Sequence, residues 1–126
     1  MTEEEKQLLF TDLCARLPYG VILDNGVKLR TIDALTKVIS GDGSDRNIEF
    51  VKPYLRPMSS VTDEEQYEYD YAIENNKFTG FRGRIIWGLD WLNAHHLDYR
   101  GLIEKGLALE APEGMYKIPN IKNQEL

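Results

Sequence analysis

Apolar residues recur at helical spacing near the start of the chain. Leu9, Leu13 and Leu17, with Phe10 and Cys14 beside them, follow Thr2 and Glu5, a capping-box pair. The pattern predicts an amphipathic first helix that stops at Pro18 and Gly20. VILDNGVKLRTI then sets an Asp-Asn-Gly turn between two β-branched and aliphatic runs, which predicts a β-hairpin. TKVIS and NIEFV continue the strand character on either side of GDGSD, a turn of glycine and aspartate. A helix followed by several short strands predicts a small curled sheet.

KPYLRPMSS breaks this pattern, because Pro53 and Pro57 donate no backbone hydrogen bond and restrict the residue before them, so the sheet is expected to end here. Thr62 and Glu65 form a second capping-box pair, and Asp63, Glu64 and Glu65 fall in the positive first turn of a helix predicted to run to about Asn76. Tyr67, Tyr69 and Tyr71 alternate with polar residues as a strand would, but a strand has no start signal here. KFTGFRGR reads as a loop, and IIWGLDWLNAHHLDYRGLIEKGLAL as helix, a break at Gly101, and further helical turns to about Gly106. Proline and glycine in APEG predict a turn before a short extended tail. The fold class is therefore α+β in one domain, 1–126. Residues 1–57 are expected to hold a helix and a small antiparallel sheet or partly open SH3-like barrel, and 58–126 a mainly helical part.

Charge divides the chain. Residues 1–76 hold 15 acids and 8 bases, and 77–126 hold 6 acids and 7 bases, so the net −6 comes from the first part. Long-range attraction to a phosphate backbone is disfavoured, and any nucleic-acid contact has to come from a local patch in the second part. No apolar run approaches the roughly 20 residues that span a bilayer, and the acidic start MTEEEKQLL is unlike a secretory signal. Cys14, the one cysteine, forms no internal disulfide, and its place on the apolar helix face predicts a buried, inert thiol. A cytoplasmic protein with no membrane partner is expected.

Candidate chemistry is sparse. His95 and His96 are adjacent, so in a helix their side chains diverge by about 100° and cannot readily share one metal ion. His95 and Asp98 fall three apart, on one helix face, where they could pair. GDGSDRN resembles a calcium loop until Arg46 interrupts the oxygen ligands. No nucleophile elbow, P-loop or dinucleotide fingerprint occurs. No cofactor, metal or catalytic residue is assigned.

Three segments, DLCARLPYGV, VKPYLRPMSS with acids following, and AHHLDYRGLIEKGLALEAPEGMY, resemble a family of small proteins of gut anaerobic bacteria and their mobile elements and phages, over nearly the whole chain. The resemblance implies a bacterial or phage protein and brings no substrate, cofactor or catalytic residue with it. The front half is also similar to SH3-like or Sm-like barrels, a likeness of fold that implies no function.

With 13 aromatic residues in a small acidic domain, the reading is a noncatalytic binding or accessory module that acts through a protein surface. The alternative is single-stranded nucleic acid held by the Lys77 to Trp87 segment, where cations and rings interleave. A third class, an enzyme of unrecognised type, stays open, and the oligomeric state is not set by the sequence. The binding residues are expected in the second half: Arg82, Arg84, Trp87, Trp91, His95 and Arg100.

Overall fold

A computed structural model describes residues 1–40, 48, 51–75 and 80–116, apart from the side chains of Ile39 and Ser40. Helix α1, Glu3–Arg16, begins at the expected capping box: Thr2 Oγ1 accepts the Glu5 N–H at 3.0 Å, and Glu5 Oε1 accepts the Thr2 N–H at 2.9 Å. Glu3, Glu4 and Glu5 lie at its positive end and Arg16 at its negative end, where each charge favours the helix dipole. The hairpin also forms. Strands β1, Val21–Ile22, and β2, Lys28–Leu29, pair antiparallel with Val21 opposite Leu29. Gly26, at φ 87°, takes the left-handed position that a three-residue hairpin loop requires, and Leu23 and Val27 close it at 2.8 Å.

The first departure comes at TKVIS, which forms the end of helix α2, Ile32–Ser40, and not a strand. Thr31 Oγ1 caps it by accepting the Ala34 N–H at 3.1 Å, and Ala34, Leu35 and Val38 reach the core at helical spacing. That cap and that burial outweigh the β preference of Thr36 and Val38. With helix in place of strand, the described residues form no barrel. Most of NIEFV, and the whole of GDGSDRN, lie outside the described residues.

A second departure is at the prolines. Strand β3, Tyr54–Leu55, sits between them and pairs in parallel with β4, Leu109–Glu110, while Leu23 and Pro53 make an isolated antiparallel bridge. Proline loses its N–H but keeps its carbonyl, and Pro53 O accepts from Leu109 N at 2.8 Å. Helix α3, Asp63–Asn75, begins at the second capping box as expected. Helix α4, Gly80–Ala94, starts inside the segment read as a loop, so Phe81, Arg82 and Arg84 are helical. It ends before the histidines and not at Gly101, and 101–108 are turns and bends, not helix. The APEG turn lies one residue later than its sequence suggests, with Met115 N donating to Pro112 O at 3.1 Å.

The fold is α+β. Its core joins Leu9, Leu13 and Leu17 to Val21, Leu23 and Leu29 of the hairpin, Leu35 of α2, Val51 and Leu55, and Leu102 and Leu107. Cys14 is half-buried against this cluster, and burial pushes its thiol pKa up. No helix among the described residues is long and apolar enough to cross a membrane.

Candidate functional site

Helix α4 is used differently on its two faces. One face, through Trp87, Gly88 and Trp91, lies inward. Tyr69 of α3 tilts against Trp87, with centroids 5.6 Å apart, and meets Trp91 edge-on at 5.2 Å. Gly88 allows this approach, since a Cβ there would stand 3.0 Å from the Tyr69 hydroxyl. Trp91 in turn stacks on His95 at 3.8 Å.

The helix closes with a left-handed residue. His96 N donates to Asn93 O at 3.0 Å, Leu97 N to Leu92 O at 3.1 Å, and His96 has φ 60°. These two bonds are those of a Schellman motif, with histidine where glycine is usual. Holding a non-glycine residue there costs about 1–3 kcal/mol. The surroundings fix it: the His96 ring stacks on Tyr116 at 3.8 Å and 11°, and is buried. The Tyr116 hydroxyl donates to Tyr54 O at 2.6 Å and accepts from Ile22 N at 2.9 Å, which ties β1, β3 and the helix end together. Burial pushes the Tyr116 pKa up to about 12. Burial also lowers both imidazoles; with the Arg16 charge nearby, His96 falls to about 3, so both rings are neutral at neutral pH.

Two ion networks flank this corner. In the first, Asp12 and Arg16, fully buried on α1, pair at 2.7 and 3.1 Å. Arg16 also donates to Leu97 O at 2.7 Å, and Arg100 donates to Asp12 at 2.9 Å. Both guanidiniums lie over the Tyr99 ring, at 5.2 and 4.8 Å, and the Tyr99 hydroxyl donates to Asn93. In the second, Arg56 holds both oxygens of Glu65 at 2.9 and 2.8 Å and donates to the carbonyls of His95 and Ser60. Burial alone would raise the Glu65 carboxyl; the Arg56 and Thr62 hydrogen bonds and the Arg56 charge overcome it and hold it at about 2.

These groups serve the fold. The His95–Asp98 pair read from the spacing does not form, because the chain has left the helix. The Asp98 carboxylate accepts from Leu102 N and Ile103 N instead, at 2.8 and 2.9 Å. His95 Nδ1 meets Trp91 O at 2.8 Å. No group of three or more His, Cys, Asp or Glu among the described residues could hold a metal ion. A groove of about 510 Å³ runs beside Ser60, Thr62, Glu110, Glu113 and Tyr116, but the Arg56 guanidinium at its wall is already committed to Glu65.

The opposite face of α4, from Phe81 to Asp90, is turned outward. Phe81 is 78% exposed, Ile86 61%, Ile85 45% and Leu89 41%. Phe81, Ile85 and Leu89 form one row of residues four apart, and Arg82, Ile86 and Asp90 form the adjacent row. All six are exposed. On α3, Tyr67 and Tyr71 stack on each other at 6.1 Å on the outer surface and do not join the core.

The six residues expected to bind are thus divided among three places. Arg82 and Arg84 are exposed on the first turns of α4, Trp87, Trp91 and His95 form the inward ladder, and Arg100 belongs to the Asp12 network. Lys77 and Phe78 lie outside the described residues. Sequence reasoning missed Ile85, Ile86 and Leu89, because the loop assigned to 77–84 hid the rows they complete. It also missed Asp12 and Arg16, whose i, i+4 spacing on the leucine face was a usable signal. Comparison with protein-family models, with curated proteins and with solved structures finds no match, so the geometry of the chain itself carries the functional argument.

Proposed function

We propose that this protein is a noncatalytic docking module that binds a protein surface through the outward face of α4. The observation that supports this is the exposure of four large apolar side chains on a helix whose opposite face is packed on Tyr69 through Trp87 and Trp91. Contiguous exposed apolar area on a small domain marks an interaction site, and a helix already fixed in place loses little conformational entropy on binding. The partner is an apolar ridge with charge at its ends, to match Arg82 and Asp90. Site-specific photo-crosslinking in cells tests this. A photoreactive residue at 85 should give a covalent protein adduct that Leu89→Asp abolishes, and one at Glu104 should give none; no adduct at 85 sinks the proposal.

One observation favours a second reading. The Phe81 ring and the guanidiniums of Arg82 and Arg84 are exposed within one turn, the pairing of ring and cation that single-stranded nucleic acid uses. Six acids and no base on α3 oppose it. Binding of a single-stranded oligonucleotide that weakens steeply with salt and falls on Arg82→Ala/Arg84→Ala would favour this second reading over protein docking.

A further inference from the structure

We infer that the surface which covers α4 is the α4 of a second copy of this chain, packed antiparallel about a two-fold axis at Ile86. This rests on the reading of α4 as a docking face and names its occupant. The order of charges along the helix selects this partner. The row Arg82, Ile86, Asp90 runs from cation through apolar residue to anion, at equal four-residue steps of about 6 Å each. Turned end for end, the row is complementary to itself: Arg82 meets Asp90 of the other copy, Ile86 meets Ile86, and Asp90 meets Arg82. A two-fold contact needs this property, because each residue sees its counterpart's partner. The adjacent row, Phe81, Ile85 and Leu89, is apolar throughout, so it adds buried area without charge conflict in either direction. Arg82 and Asp90 are exposed and enter no hydrogen bond or salt bridge among the described residues; burial, and then the nearby Asp90 carboxylate, raise the Tyr19 pKa, and Asp90 takes no cation there, so both charges can meet a partner. A parallel pairing would set Arg82 against Arg82 and Asp90 against Asp90, and like charges exclude it.

The strip is smaller than the roughly 20–30 residues a side of a standard interface, so the dimer is weak and its population depends on concentration. Sedimentation of the full chain over a concentration series should show the average mass rising toward twice that of the monomer. Ile86→Glu, which sets two carboxylates on the axis, should leave a monomer with an unchanged circular dichroism spectrum. Arg82→Asp and Asp90→Arg should each weaken association about tenfold, since each puts like charges together twice per dimer. The double variant Arg82→Asp/Asp90→Arg should recover to within about threefold of wild type. With Cys14→Ala as background, Ile86→Cys should form an intermolecular disulfide readily on mild oxidation. A chain that stays monomeric throughout, or a dimer indifferent to Ile86→Glu, overturns the inference. So does a double variant no better than the single ones, which rules out the antiparallel register. The photo-crosslinked adduct at 85 separates the two proposals: an adduct with another protein, beside a monomeric chain, leaves the docking face standing and removes the second copy.

Discussion

The two faces of α4 belong to one helix and have opposite fates. On the inward face Trp87 and Trp91 pack on Tyr69 and Trp91 stacks on His95, the helix is closed by a strained His96, and two arginine networks hold the carbonyls of His95 and Leu97. On the outward face Phe81, Ile85, Ile86 and Leu89 are exposed. The difference shows that a residue's prominence in the sequence does not fix its place: the histidines, Trp91 and Arg100 are packed or paired within the fold, while the plainer Ile85, Ile86 and Leu89 are exposed.

The comparison breaks most sharply at Asp12. Asp12→Ala leaves Arg16 charged and buried without its carboxylate, and should cost about 3–5 kcal/mol of stability, read as a lower urea midpoint. A loss below about 1 kcal/mol would show that this network does not hold the inward corner. Glu65→Ala removes the side-chain half of the α3 capping box and both Arg56 bonds, and should cost about 2–3 kcal/mol in the same titration.

The histidines sharpen the contrast by pH. A His96 pKa held near 3 in the fold lies below its ordinary 6.5, so the unfolded chain binds the extra proton. His96 therefore contributes stability that is present above pH 6.5 and is lost progressively as pH falls toward 3. Between pH 6.5 and 4.5 the loss should be on the order of 2 kcal/mol. The Glu65 contribution is still largely present there and declines as pH falls below about 4.5 toward 2. His96→Asn, which tolerates the left-handed backbone, should flatten the slope above pH 4.5 and leave the share of His95. An unchanged slope would mean that the ring is not the titrating group.

The smallest effect is expected on the outward face. Ile86→Asp should change stability by less than about 0.5 kcal/mol while it abolishes the adduct at position 85, because the side chain is 61% exposed. If it destabilises the chain as Asp12→Ala does, the outward face is part of the fold and not a surface.

What the sequence determined by itself is local. The two capping boxes, the Asp-Asn-Gly hairpin, the acidic first turns and the leucine face of α1 were legible because each is set by residues within a few positions of one another. The leucine rows also marked a core without saying what packs on it. Tertiary structure decided the rest. TKVIS became helix because the Thr31 cap and contacts with the core outweighed weak local preference, and the residues from Gly80 are the first turns of a helix that packs on α3 further along, through Trp87 and Trp91. Arg56 meets Glu65, Arg100 meets Asp12, and Tyr116 meets His96 and Tyr54 over separations that no spacing rule spans. Whether an aromatic or charged side chain is buried and paired, or exposed and available, depends on what the folded chain brings against it. That is why the sequence placed Arg82, Arg84, Trp87 and Trp91 on or near one helix without showing that the arginines are exposed on it and Trp91 buried.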